Sequence, residues 1–159
     1  MEFPATDLLR REHRDLERLL ARFEGELSDP QAEGLLRLAR TYAEIQGHLA
    51  AHFRKEEKVF YPTLAPSAAT NDFEIARLIA DHTDIRETSS AFQGLLDEAQ
   101  AVAAPAVSVR ADLSSSGWEL WNLVHHHIAE EENRLLAFAD RQLDSAAQAQ
   151  LAAQMEAES

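Results

Sequence analysis

The sequence of 159 residues contains no cysteine, and glycine and proline occur only five times each. Without thiols, the chain cannot use a cysteine nucleophile, a cysteine-ligated zinc or iron–sulfur site, or a disulfide scaffold. Any metal must therefore be held by nitrogen and oxygen donors. Basic side chains are also scarce, with 15 Lys and Arg against 28 Asp and Glu and a formal net charge of −13. This balance argues against nucleic acid or an anionic membrane as the partner, because both require a basic footprint.

Long apolar segments are missing as well. Residues Met1–Arg11 contain no hydrophobic run of signal-peptide length, and no stretch approaches the roughly 20 apolar residues of a membrane span. We therefore expect a cytoplasmic protein. The length is sufficient for one hydrophobic core, so we expect a single domain over residues 1–159.

The composition favours helices, since Ala, Leu, Glu, Arg and Gln dominate and β-branched runs are few. Capping residues and prolines predict the breaks between helices: Asp29–Pro30, Pro62 and Pro66, Asn71 or Asp72, and Pro105. They predict helices near 5–27, 30–61, 72–101 and 109–141. A Ser145–Gln148 pair with capping-box spacing predicts a short tail helix to about Met155. We expect an all-α fold, an up-down-up-down four-helix bundle with a short C-terminal fifth helix.

The core-facing seam of each predicted helix is defined by apolar residues at alternating spacings of three and four. One histidine falls on every seam, and in two helices a glutamate follows it four residues later. The seam of the second helix illustrates the pattern: Leu35, Leu38, Tyr42, Ile45, Leu49, His52, Glu56 and Val59. The six polar seam residues of the whole chain are His13, His52, Glu56, His82, His127 and Glu131.

Burying unpaired carboxylates and imidazoles costs several kcal/mol. A single buried histidine is usually a core residue with hydrogen-bond partners, but six such groups in one small core require a shared counter-charge. Imidazole and carboxylate are suitable ligands for iron, manganese or zinc. The seams therefore predict a metal cluster. The alternative without metal is a helical interaction domain.

Distances from the predicted turns indicate that these residues share a layer. His52 lies ten residues before Pro62, and His82 lies equally far from the start of its helix. His13 fits less well, with a mismatch of about 10 Å at 1.5 Å per residue. Either the first connection extends to Gly34, or the helices are staggered, or His13 is not a ligand.

The two His-x-x-x-Glu motifs lie 75 residues apart, His52 with Glu56 and His127 with Glu131. A spacing of four places imidazole and carboxylate on one helix face, so that one residue can bind a metal terminally while the other bridges two metals. Four histidines and two bridging glutamates predict a dinuclear site. Each metal would keep positions for an oxo or hydroxo bridge and for an exogenous small ligand.

The pattern H…HxxxE…H…HxxxE from His13 to Glu131 resembles that of the hemerythrin-like (HHE cation-binding) family, four-helix bundles around a non-haem di-iron centre. The resemblance implies that the six polar seam residues bind two iron ions (Fe²⁺/Fe³⁺) with an oxo or hydroxo bridge. It also implies dioxygen, peroxide or nitric oxide as the small ligand. Oxygen-carrying hemerythrins have a second histidine one turn along the third helix, where this chain has Arg86. That departure argues against reversible oxygen carriage and favours redox chemistry.

The function expected is therefore binding or turnover of a small oxidant at an open iron site. If the protein is an enzyme, it is a di-iron oxidoreductase that consumes peroxide or nitric oxide. The alternative is a non-catalytic iron or oxygen sensor, or an iron-responsive binding module, in which metal occupancy sets the stability of the bundle. A ferritin-like site is set aside because no histidine has an acidic residue three positions before it, and His-Glu-x-x-His is absent. We expect a monomer or homodimer.

The remaining polar and aromatic residues are predicted to have lesser roles. His48, His125 and His126 fall beside the seams, at surface or supporting positions, with an additional or substitute metal ligand as the alternative for His48. Glu57 and Glu132 belong to a solvated face, although either could orient a ligand histidine. Aromatic residues at helical spacing are predicted to pack in the core or at an interface, with pocket lining as the alternative for the last: Tyr42, Tyr61, Trp118 and Trp121.

Overall fold

The computed structural model describes residues 1–28, 32–69 and 74–159. Throughout these ranges the regular structure is helical. The elements in chain order are α1 (Pro4–Leu27), α2 (Ala32–Lys55), a first π turn (Glu56–Phe60), α3 (Tyr61–Ala69), α4 (Ile75–Gln100), α5 (Val107–Glu130), a second π turn (Glu131–Leu135), α6 (Leu136–Gln142) and α7 (Ser145–Glu156). Each π turn joins its two flanking helices into one continuous long helix. The predicted all-α class is confirmed.

Four long helices form the bundle. α1 packs against α2 and α5, and α4 packs against the same two helices. Each long helix therefore has two neighbours, which is the arrangement of an up-down-up-down bundle. Among the helices described, none combines the length and apolar character needed to cross a membrane.

The predicted C-terminal fifth helix, α7, packs on α1 and on the first π turn. Asp144, rather than the predicted Ser145, caps it by accepting a hydrogen bond from a backbone N–H in the first turn. Gln148 is not part of a capping box, since its side-chain Oε1 accepts hydrogen bonds from the backbone N–H groups of Ala5 and Thr6 at 3.1 and 3.3 Å. The tail helix thus caps the beginning of α1, because those N–H groups have no partner within α1.

Contrary to prediction, Pro62 and Pro66 do not end the second long helix. In the first π turn, the Tyr61 N–H donates to the Glu56 carbonyl, five residues back. The hydrogen-bond register therefore changes immediately before Pro62. At this position the missing N–H of proline is tolerated, just as it is in the first turn of a helix. Pro66 removes a further bond, but Leu64 beside it is buried in the core and holds the segment in place.

Other helix ends agree with the prediction to within a few residues. α4 begins at Ile75 instead of near residue 72. The predicted caps Asn71 and Asp72, and the Asp29–Pro30 start, lie outside the described residues. Pro105 lies in the connection between α4 and α5, as predicted.

The core consists of two hydrophobic clusters with a polar layer between them. The larger cluster lies on one side of that layer and includes Leu16, Leu20, Phe23, Tyr42, Leu49, Ile85, Phe92, Leu96, Leu120 and Val124. The smaller cluster lies on the other side and includes Leu9, Phe60, Leu64, Ile75, Leu78, Leu135, Leu136 and Met155. Along every long helix, residues of both clusters flank one histidine of the layer.

The predicted seam of the second long helix describes this core with one exception. In the second long helix, Phe60 is buried where Val59 was predicted, and Val59 is only half-buried. The first π turn causes this shift, because its wider turn moves every later side chain around the helix axis by about one position.

Candidate metal centre

The six polar residues of the predicted seams come together in the polar layer, and each is at most 3% exposed. Among the described residues they form two groups, within each of which the donor atoms lie within 4.8 Å of one another. The first donor group is His13, His52, Glu56 and Glu131, and the second donor group is Glu56, His82 and His127. Because Glu56 belongs to both, the two groups lie side by side and share a carboxylate.

His13 belongs to the layer despite its mismatch in sequence distance. Its Nε2 atom lies 3.1 Å from the Nε2 atom of His52. A connection extended to Gly34 is not the explanation, since α2 already begins at Ala32. The helices α1 and α2 are therefore staggered along the bundle axis.

The imidazoles face one another in pairs. Nε2 of His13 is 3.1 Å from Nε2 of His52, and Nε2 of His82 is 3.0 Å from Nε2 of His127. Each ring turns its other nitrogen, Nδ1, towards a carboxylate at the edge of the layer. A ring that donates its Nδ1–H to a carboxylate presents a lone pair at Nε2. Two facing Nε2 atoms about 3 Å apart therefore require a proton or a metal ion between them.

The Nδ1 partners come from neighbouring helices. They are Glu132 for His13 at 2.7 Å, Glu12 for His52 at 2.8 Å, Glu57 for His82 at 2.7 Å, and Asp81 for His127 at 3.5 Å. Lys55 pairs with Glu12, and the guanidinium of Arg86 lies 2.8 Å from Glu57. Arg86, which stands where oxygen-carrying hemerythrins have a second histidine, therefore places a guanidinium beside Glu57, the carboxylate that orients His82.

The buried carboxylates supply a further test of whether a metal fits. Glu56 Oε1 lies 3.0 Å from His52 Nε2, and Glu56 Oε2 lies 3.2 Å from His82 Nε2. Its Oε1 atom is buried and forms no hydrogen bond within the described part of the chain. A buried carboxylate oxygen without a hydrogen bond is costly. One cation in each donor group would satisfy this oxygen and the facing imidazoles together. The residues therefore fit two adjacent metal ions.

Both inner carboxylates lie at the first residue of a π turn, Glu56 in the first and Glu131 in the second. π turns occur frequently at functional sites, and each one here follows a histidine by four residues. The next residue in each turn, Glu57 or Glu132, contacts Nδ1 of a histidine on another helix. The supporting role that the sequence allowed for these two glutamates is therefore the one that the structure shows.

Three residues of the centre are not among the predicted ones. Glu12 and Asp81 contact Nδ1 of layer histidines, and Tyr61 was assigned to packing alone. A signal for the carboxylates exists, since each immediately precedes a seam histidine in the sequence. A residue beside a seam lies at the boundary between two helices, where it reaches the neighbouring helix.

Tyr61 is 1% exposed, and its hydroxyl lies inside the polar layer. The hydroxyl donates a hydrogen bond to Glu131 Oε1 and lies 3.2 Å from His82 Nε2 and 3.3 Å from Glu56 Oε2. Burial, followed by the carboxylates of Glu56 and Glu131, raises the pKa of Tyr61 well above its usual value. Without a metal, the side chain is therefore a neutral phenol.

The layer also shifts the charges of its own residues. Burial opposes protonation of His52, but the carboxylates of Glu56 and Glu12 outweigh it and raise the pKa of His52 well above its usual value. Burial likewise opposes ionisation of Glu131, but the imidazole of His127 and other layer histidines hold its pKa well below its usual range. The layer thus favours ionised carboxylates beside positive charge, which a metal ion also provides.

The histidines predicted to lie beside the seams do lie outside the layer. His48 and His126 are exposed. His125 pairs with Glu17 at 2.9 Å and stacks on Trp121 at 4.8 Å between ring centroids. Trp121 packs against the larger hydrophobic cluster.

Fold and site together define a helical-bundle protein with a buried cation-binding centre. The sequence model of the Hemerythrin HHE cation binding domain matches residues 5–139, so the chain belongs to this family. The matched range includes the whole polar layer. Comparisons with curated proteins and with solved structures found no match.

Proposed function

We propose that the protein binds two iron ions in the polar layer and binds or reacts with a small oxidant there, namely dioxygen, hydrogen peroxide or nitric oxide. The observation that carries the proposal is the pairwise approach of four Nε2 atoms at 3.0 and 3.1 Å around a shared, unsatisfied carboxylate. Membership of the cation-binding family supports it. Iron fits the donor set, because imidazole and carboxylate are its common ligands in proteins.

Each donor group would hold one ion. His13 and His52 would bind the first, and His82 and His127 the second. Glu56 and Glu131 would bind both, since Glu131 Oε2 lies 3.1 Å from His13 Nε2 and 3.6 Å from His127 Nε2. Two iron ions held in this way supply reversible redox change and coordination positions for a small ligand.

The surrounding residues hold the ligand side chains in place. Carboxylates orient every imidazole of the layer through Nδ1. Phe53 stacks on His82, with ring centroids 3.6 Å apart and an angle of 17° between the planes. The clusters on both sides exclude bulk water from the layer, which strengthens the electrostatic interactions inside it.

A small cavity fits a small ligand. It has a volume of about 200 Å³, and its lining includes Arg77, Asp81, His126 and His127. It lies at the outer edge of the polar layer, beside His127 and its Nδ1 partner Asp81. Dioxygen, peroxide and nitric oxide are small enough to enter such a space.

Loading with iron followed by exposure to each oxidant tests the proposal. We expect two irons per chain, and a change in the visible spectrum with consumption of at least one of the three oxidants. His127→Ala should lose the iron pair, and His125→Ala is the matched control that should keep it. A chain with two irons that neither changes its spectrum nor consumes any oxidant would contradict the oxidant chemistry. Remodelling on chelation, without turnover, would then favour the iron-responsive module.

A further inference from the structure

The two donor groups are unequal. Among the described residues, the first has four histidine and carboxylate donors and the second has three. The Tyr61 hydroxyl lies beside the smaller group, 3.2 Å from His82 Nε2 and 3.3 Å from Glu56 Oε2. A phenol oxygen is therefore placed beside the group that has fewer histidine and carboxylate donors of its own.

We propose that Tyr61 is a seventh protein ligand, whose phenolate oxygen binds the iron held by His82, His127 and Glu56. This inference rests on the proposed iron pair. Donor atoms about 2.1 Å from one ion and at right angles to each other lie about 3 Å apart. The neighbours of His82 Nε2 match that spacing, at 3.0 Å for His127, 3.2 Å for Glu56 and 3.2 Å for Tyr61.

An ordinary core tyrosine makes a different set of contacts. Tyr42 is also buried, and its hydroxyl donates to the carbonyl of Ser89 at 2.8 Å. The Tyr61 hydroxyl has one proton but two carboxylate acceptors, Glu131 Oε1 and Glu56 Oε2, and it also lies 3.2 Å from His82 Nε2. When its Nδ1–H is donated to Glu57, His82 presents an Nε2 lone pair to the same space. A cation satisfies these facing acceptors.

The first π turn places Tyr61 in the layer. In a regular α-helix, the residue five positions after Glu56 would lie about 140° around the axis from it. The π turn bonds the Tyr61 N–H to the Glu56 carbonyl and thereby aligns the two side chains on one face. The equivalent position after the second π turn is Leu136, which is fully buried in the smaller cluster. The two His-x-x-x-Glu motifs are therefore followed by different side chains at this position, a phenol after the first π turn and an aliphatic chain after the second.

Phenolate is an established iron ligand, as in the haem of catalase. A bound cation lowers the pKa of a coordinating group, as it does for bound water. Coordination would release the phenol proton to solvent and leave Glu131 Oε1 free to bind metal. The proposal thus requires one proton released per Tyr61 bound and no redox change.

Visible absorption and resonance Raman spectra of the iron(III)-loaded full chain test this inference. We expect a phenolate-to-iron(III) charge-transfer band and phenolate vibrations in the wild type. Tyr61→Phe should lose both, and its affinity for the second iron should fall by at least roughly 10-fold, since removing a residue that only supports a metal ligand already costs about 10- to 100-fold. Tyr42→Phe is the matched control and should keep the band.

Iron stoichiometry, measured in parallel, separates this inference from the proposed function. Two irons per chain with no phenolate vibration in the wild type would overturn the inference and leave the iron pair standing. This readout does not depend on whether Tyr61→Phe folds. A band that persists unchanged in Tyr61→Phe would also overturn it. A wild-type chain that binds no iron would overturn both.

Discussion

The larger hydrophobic cluster and the polar layer beside it are stabilised by opposite means. In the cluster, Phe92 packs against Phe23 and Tyr42 with ring centroids 5.4 and 4.8 Å apart, and burial of these rings needs no opposite charge. In the layer, four imidazoles and two carboxylates are buried as completely, and each opposes folding unless it is paired. The difference indicates that the cluster can hold the bundle together, while the layer requires opposite charge beside its buried groups.

Truncation of Phe92 should have the largest effect. We expect Phe92→Ala to lower the free energy of unfolding by about 3–5 kcal/mol, the usual cost of removing a buried ring. Because the ring contacts Phe23 and Tyr42 and not the layer, the loss should be equal with and without iron. Urea unfolding of both forms measures it. A loss confined to the iron-loaded form would show that the two regions are not separable.

Removal of iron tests how much a metal bound in the polar layer contributes to the stability of the fold. Chelation should lower the free energy of unfolding by about 4 kcal/mol when free iron had been about 1,000-fold above its dissociation constant. The helix content in far-ultraviolet circular dichroism should remain close to that of the loaded protein, since the larger cluster is intact. Loss of the helical signal on chelation would contradict a self-sufficient cluster.

The same contrast explains which features could be predicted from the sequence. Apolar periodicity is a property of each helix alone, so it predicts the seams and exposes polar exceptions such as His82 and Glu56. Pairings between helices depend on how the helices are staggered and rotated. The contacts of Glu12 and Asp81 with layer histidines are of this kind. They cannot be predicted from the apolar periodicity of a single helix.

The π turns mark a second limit. The seam prediction assumes a constant α-helical period, which holds up to Glu56 and fails after it, where Phe60 replaces Val59. The position of Tyr61 follows from the same change of period. Prolines mislead for a related reason, because a proline after a π turn does not terminate the helix as it would in regular α-helix.

Replacement of a buried ion pair by apolar residues should reveal the cost of the layer. In iron-free protein, we expect the double variant His52→Leu with Glu56→Met to be unchanged or more stable by about 1–4 kcal/mol, because well-packed apolar residues avoid the desolvation of two charges. Its iron content should fall below two per chain. His52→Leu alone is the control and should be destabilised, since it leaves Glu56 with one fewer partner. A double variant as unstable as Phe92→Ala would mean that the pair itself stabilises the metal-free fold.

The smallest expected effect concerns two glycines in long helices, Gly117 packed against the larger cluster and Gly94 on an exposed face. A Cβ atom on Gly117 would lie 2.4 Å from Leu27 Cδ2 and 3.1 Å from Phe92 Cε2, whereas one on Gly94 would meet nothing within 4 Å. Overpacking costs about 1–3 kcal/mol, and glycine to alanine in a helix gains about 1 kcal/mol. We therefore expect a net loss of about 1 kcal/mol for Gly117→Ala and a gain of up to about 1 kcal/mol for Gly94→Ala. Both shifts should be the same with and without iron in thermal or urea unfolding, because neither glycine contacts the polar layer. Equal gains at the two positions would show that Leu27 moves aside freely and that this end of the cluster is loosely packed.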